Sequence, residues 1–332
     1  MINRLECLIV LINIFLPAGL AGSKDAESPQ PDIGNEKFGI ISVPVANLKE
    51  SPSHKAELAD QEIMGYVVKV LKRKDNPPLK GEASPPIKSE ASWYQVETEY
   101  GYVGWVTDKS FCGVDEAAKK QWETSDKIIV TKIFGIIYSR QDETSVPVAN
   151  VVLNVLLRRI EQKGGPASPA KRGEWTKVCT PDGRTGYLRS ENAVEAPIKR
   201  LSGERLRSAL VKTAKSMTGI PYLWGGKSST ACDCSGFTQT VFRANGINLL
   251  RDAKQQALEG EAVDYDATFS NVAAGDLLFF GSDRITHTGM SLGGAEFIHQ
   301  SGDVHINSLE PNAPNYSPSH RKNLKAIRRI CK

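Results

Sequence analysis

A cysteine at the head of an apolar helical run and two histidines on a downstream hairpin have the residue types for acyl transfer. Cys234 sits in Asp233-Cys234-Ser235-Gly236, His287 follows 53 residues later, and His299 lies 12 beyond that. A thiol attacks as its thiolate, an imidazole manages the proton, and a second polar group orients the imidazole.

Such a trio works only if local structure positions it. Phe237, Val241 and Phe242 have the spacing of a helix face, and Asn245-Gly246 ends the run, so Cys234 falls in the first turn with Asp233 as its cap. Unpaired backbone N–H groups and the helix dipole at that end favour a thiolate. The stretches Ile285 to Leu292 and Ala295 to Gln300 flank Gly293-Gly294, which predicts a β-hairpin. A three-residue loop, Leu292 to Gly294, sets Ser291 opposite Ala295 and His287 directly opposite His299, with Cβ atoms about 5 Å apart. A two-residue loop shifts the register by one and puts the imidazoles on opposite faces. His54, His305 and His320 read as surface residues, so no third or fourth ligand joins His287 and His299, and neither a metal nor a cofactor is expected.

Five motifs in order extend this reading. Pro221-Tyr222-Leu223-Trp224-Gly225-Gly226, Asp233-Cys234-Ser235-Gly236-Phe237, Gly275-Asp276-Leu277-Leu278-Phe279-Phe280, His287-Thr288-Gly289-Met290 and Phe297-Ile298-His299 resemble the NlpC family of bacterial cell-wall cysteine peptidases. The resemblance covers about residues 205–332 and implies a papain-like fold. It implies Cys234 as nucleophile, His287 as base, His299 as third member and the Tyr222 hydroxyl as an oxyanion donor. Gln300 departs from the pattern, standing where that family has a small residue, which could tilt His299.

Upstream, the chain repeats itself. Trp93, Val96, Gly101, Gly104 and Trp105 recur at one constant offset as Trp175, Val178, Gly183, Gly186 and Tyr187, which points to two copies of one small β-barrel. The repeated pattern resembles bacterial SH3-like domains. The fold class is therefore α+β: a papain-like C-terminal peptidase domain at 205–332, preceded by two SH3-like β-barrels at 38–112 and 124–198, joined by a polar helix around Glu116 to Glu123. Each barrel carries a Pro/Gly/Lys insertion, Lys72 to Ser92 and Glu161 to Glu174, read as surface loops.

Two such barrels before the peptidase resemble the gamma-D-glutamyl-L-diamino acid endopeptidases, the dipeptidyl-peptidase VI group. That resemblance implies cleavage of murein peptides bearing a free N-terminal L-Ala, whose ammonium is held by Glu57 and Tyr102. Trp224, Asp233 and Ser235 would line the same pocket, bordered by Arg251, Asp252 and Gln255. Arg251 is further expected to pair with the free α-carboxylate of D-Glu. The alternatives are a hydrolase remodelling intact peptidoglycan, or a wall-binding protein with an inactive catalytic domain.

The chain has 332 residues, 40% hydrophobic and 24% charged, with a net charge of +4, enough for several cores. No stripe of basic and aromatic residues suggests nucleic acid. Arg4, the apolar run Cys7 to Leu16 and small residues through Gly22 read as a signal peptide over 1–21, followed by a linker at 22–37. The expected product is a secreted or periplasmic monomer without a membrane partner after cleavage. Cys112, Cys179, Cys232 and Cys331 are open to disulfide pairing or to burial as thiols.

Overall fold

The computed structural model describes residues 37–75, 92–161, 174–199 and 201–331. The leader at 1–21, Cys7, most of the 22–37 linker and the middles of both insertions lie outside the described residues. Among the described residues no helix is long and apolar enough to cross a membrane.

The first sheet holds β1 (Phe38–Ile41), β2 (Val45–Lys49), β3 (Leu58–Ile63), β4 (Val67–Lys74), β5 (Trp93–Glu97), β6 (Val103–Thr107) and β7 (Phe111–Val114), in the order β3-β2-β6-β5-β4-β1-β7. Strand β4 runs on through Lys74, into the stretch read as a loop. Helix α1 (Glu116–Thr124), capped by Asp115, leads to the second sheet. That sheet holds β8 (Lys127–Val130), β9 (Phe134–Tyr138), β10 (Pro147–Val152), β11 (Leu156–Arg159), β12 (Trp175–Cys179), β13 (Thr185–Arg189) and β14 (Ala193–Ala196), in the order β10-β9-β13-β12-β11-β8-β14. Strand for strand, the two orders are the same. The repeated residues occupy equivalent places: Val96 and Val178 are fully buried, and an added Cβ on Gly104 or Gly186 would strike Leu48 or Ile137 of the neighbouring strand.

The C-terminal part contains α2 (Gly203–Ser216), α3 (Cys234–Arg243), α4 (Ala253–Gln256) and α5 (Pro318–Asn323) around a third sheet. Its strands are β15 (Glu261–Ala262), β16 (Leu277–Phe280), β17 (His287–Gly293), β18 (Glu296–Ser301), β19 (Asp303–Ser308) and β20 (Leu324–Arg329), in the order β15-β20-β16-β17-β18-β19. Side chains on a strand alternate between faces. Leu277 and Phe279 therefore join Leu206, Leu210, Phe237, Val241 and Phe242 under α2 and α3, while Leu278 and Phe280 join Phe269, Phe297 and Ile327 on the other side. Burial on both faces explains the unbroken apolar run of β16.

Candidate active site

Cys234 is the first residue of α3. Asp233 caps the helix, its Oδ1 accepting from the Gly236 N–H at 2.7 Å, and its Oδ2 accepts from the Gly225 N–H at 3.0 Å. The backbone N–H groups of Thr288 and Ser235 act on the Cys234 thiol, which sets it beside the start of β17, the strand that begins with His287.

The hairpin differs from its expected register in an instructive way. Gly293 pairs with Glu296 around a two-residue loop, the case expected to separate the imidazoles, but a bulge between Ser291 and Gly293 restores the parity. His299 consequently lies opposite Gly289, with His287 two residues further along the same face. Gly289 has a physical reason to be glycine, because a Cβ there would lie 2.9 Å from the His299 Cβ. Without it, His299 leans toward its diagonal neighbour, and His287 Nε2 and His299 Nδ1 are 2.8 Å apart.

A residue that sequence reading missed sets the direction of this pair. The Asn307 Nδ2 donates to the Asn315 carbonyl, so its Oδ1 faces His299 Nε2, at 2.9 Å. His299 must then carry its proton on Nε2, accept on Nδ1, and oblige His287 to donate from Nε2. His287 Nδ1 is left as the lone-pair nitrogen, the one able to take a proton from sulfur. The signal was present: β19 pairs with β18, and His305 and Asn307, two residues apart, share the sheet face that carries His299. Asn307→Leu is expected to lower kcat/KM by roughly 10- to 100-fold through loss of this buried hydrogen bond. Asn307→Asp should restore turnover and move the acid limb of the pH profile upward, since a carboxylate favours the imidazolium; a merely structural asparagine would leave that limb in place.

Burial keeps the resting site neutral. It pushes the Cys234 thiol up to about 11, with the Asp233 carboxylate adding to the shift, and it pushes His287 and His299 down to about 3. The expectation of a resting thiolate is thus corrected: desolvation outweighs the backbone donors at the helix end. His305 and His320 also depart from expectation. Their rings stand 4.6 and 4.7 Å from that of His299, and His320 is 5.3 Å from His287, against the walls formed by Phe280 and Phe297.

The first barrel abuts this site. Gly225 has φ of +74°, and a Cβ on it would lie 2.3 Å from the Leu58 carbonyl oxygen, so the head of β3 presses on the loop that carries Trp224. Glu57, exposed, immediately precedes that contact. Tyr102 is half-buried, and burial together with the Asp252 carboxylate raises its phenol, with Arg251, Asp60 and Asp233 also acting on it. Asp252 caps α4 and forms a capping box with Gln255. Tyr222 is 40% exposed and Trp224 is 66% exposed. Burial, with Cys234 and Asp233 nearby, lifts the Tyr222 phenol to about 12, so it remains a donor throughout the working range.

Arg251 and Ser235 are used inside the protein. Arg251 is only 2% exposed; its Nε donates to Asp60 at 2.6 Å, its Nη2 to Asp233 at 2.6 Å, and its Nη1 to Asp233 and to the Ser235 Oγ. No edge of this guanidinium faces a substrate carboxylate, and the expected clamp on D-Glu is replaced by a link between barrel and catalytic helix. Behind it, Glu62 accepts from Arg243 at 2.8 Å and Lys227 at 3.2 Å, and Tyr100 hydrogen-bonds both Asp60 and Lys227. Burial alone would raise the Glu62 carboxyl; Arg243 and Lys227 outweigh it and hold it at about 2. Gln300 turns to the sheet face opposite His299, where it donates to the Ile220 carbonyl at 2.8 Å and approaches the Cys232 sulfur. Cys179, Cys232 and Cys234 are free thiols, and burial raises Cys232 to about 12.

Comparison with known proteins accords with this geometry. Residues 219–323 match the NlpC/P60 family and residues 44–111 match the bacterial SH3 domain. The chain is 27% identical to "Dipeptidyl-peptidase 6" of Lysinibacillus sphaericus, over 87% of this chain and 97% of that protein. It is 30% identical to "Gamma-D-glutamyl-L-lysine dipeptidyl-peptidase" of Bacillus subtilis (strain 168), over 60% of each. A Bacillus cereus NlpC/P60 family protein of known structure shares the fold, with a TM-score of 0.69 at 23% identity, covering 89% of this chain and all of that one.

Proposed function

From a chain that carries an NlpC/P60 cysteine peptidase domain behind a bacterial SH3 domain, we propose an endopeptidase that cuts the γ-D-glutamyl to L-diamino acid bond of murein peptides with a free N-terminal L-Ala. The supporting observation is the position of the first barrel, whose Leu58, next to Glu57 in sequence, presses on Gly225 beside Trp224, and whose Tyr102 feels the charge of Asp233, the cap of the Cys234 helix. The activities in the names of the two relatives agree with it.

In this reading the Cys234 sulfur attacks the γ-carbonyl of D-Glu while its proton passes to His287 Nδ1. Starting from a neutral pair, attack and proton transfer are coupled, and the imidazolium that forms is steadied by His299, itself held by Asn307. Tyr222 donates to the oxyanion. His287 then returns the proton to the leaving amine of the diamino acid. Water, activated by the same nitrogen, hydrolyses the thioester and releases L-Ala-γ-D-Glu. Glu57 and the Tyr102 hydroxyl hold the L-Ala ammonium, and a sugar-linked N-terminus meets the barrel instead. A leader at residues 1–21 would deliver the protein to the cell envelope.

The test compares L-Ala-γ-D-Glu-diaminopimelate with its N-acetyl derivative, using mass spectrometry of the products. The free peptide should be turned over and the acetylated one refused; equal turnover would defeat the reading. The pH profile carries two signatures. Activity on the free peptide should persist well below pH 6.5, because His287 and His299 gain protons only toward about 3. It should fall as pH rises through about 8, where an α-amino group loses the charge that Glu57 recognises.

A further inference from the structure

We propose that His287, His299 and His320 form an inhibitory zinc site laid over the proton relay. One ligand nitrogen from each of the three lies within 4.8 Å of the others. Tetrahedral zinc with Zn–N of about 2.1 Å sets its nitrogens about 3.4 Å apart, a difference that modest ring rotations close.

The surroundings are those of a ligand set. Metal-binding histidines hold their other ring nitrogen on a polar partner, which fixes tautomer and orientation. His299 Nε2 is held by the Asn307 Oδ1 at 2.9 Å, and His320 Nδ1 by the Ser317 Oγ at 2.7 Å. The nitrogens left to bind are His299 Nδ1 and His320 Nε2, with His287 Nε2, 2.8 Å from His299 Nδ1, as the third. Phe280 and Phe297 supply an apolar wall beside all three rings.

Inhibition follows from the tautomer. In the working relay His287 carries its proton on Nε2 and offers Nδ1 to sulfur. Zinc on Nε2 sends that proton to Nδ1: one N–H bond breaks, one forms, and the ring stays neutral. Nδ1, the nitrogen assigned to take the Cys234 proton, is then occupied and no longer a base. The site thus regulates the cysteine peptidase chemistry and rests on that reading of the relay, although metal binding is measurable without any substrate.

Isothermal titration with zinc sulfate on the full chain, repeated on Cys234→Ala, His320→Phe and Ser317→Ala, tests this. The wild type and Cys234→Ala should each bind one zinc tightly. Ser317→Ala should weaken binding by roughly 10- to 100-fold, and His320→Phe, which keeps the ring packing, by at least as much. In parallel, zinc should block peptide turnover and iodoacetamide labelling of Cys234, EDTA should reverse both, and His320→Phe should resist both while keeping metal-free turnover. Zinc binding that vanishes in Cys234→Ala and survives in His320→Phe would overturn the proposal by placing the metal on the thiol; absence of tight binding would also overturn it. Failure to cleave the murein peptide, with the titrations as described, would count against the substrate assignment alone.

Discussion

Replacing Arg251 by methionine should destabilise the protein by roughly 3–5 kcal/mol in urea unfolding, because two carboxylates would be left buried without their partner. Asp60 is fully buried and Asp233 is 7% exposed, and both take short bonds from this guanidinium. The cost arises from the stranded charges more than from a lost attraction. Arg251→Met with Asp60→Leu should therefore recover part of the loss, since an apolar replacement of a buried pair is far less costly than a lone ion. The same single variant should lower turnover beyond its effect on stability, since Asp233 caps the helix that begins with Cys234. A destabilisation under about 1 kcal/mol, the scale of an exposed ion pair, would mean that water reaches the network.

Cys234→Ala should reduce turnover of the murein peptide by at least about 10⁴-fold, and His287→Ala by a comparable factor. Residues acting as one unit lose nearly everything when either is removed, so the double variant should be little worse than each single one. Initial-rate measurements on the three variants decide this. Additive losses would mean that sulfur and imidazole act in separate steps, against the coupled transfer that a neutral resting pair requires.

The parts of the site governed by local periodicity were readable in the sequence. Helical spacing placed Cys234 at the head of α3, and the two-residue repeat of strands put His287 and His299 in one hairpin. The bulge near Leu292 was not readable, because an extra residue in a ladder leaves no consistent side-chain mark. His320 arrives from a short helix beyond β19, a long-range approach that spacing does not encode. Arg251 was misassigned for a related reason: whether a guanidinium faces substrate or partner depends on how β3 docks beside α3. Asn307 stood within reach of a period-two reading of β19 but required the pairing of β18 with β19.

Intact-mass and peptide-level mass spectrometry of the acid-quenched reaction with L-Ala-γ-D-Glu-diaminopimelate bears most directly on whether Cys234 carries the acyl group. The expected result is an L-Ala-γ-D-Glu thioester on the peptide containing Cys234, absent from Cys234→Ala. An adduct on any other residue, or undiminished turnover by Cys234→Ala, would contradict it.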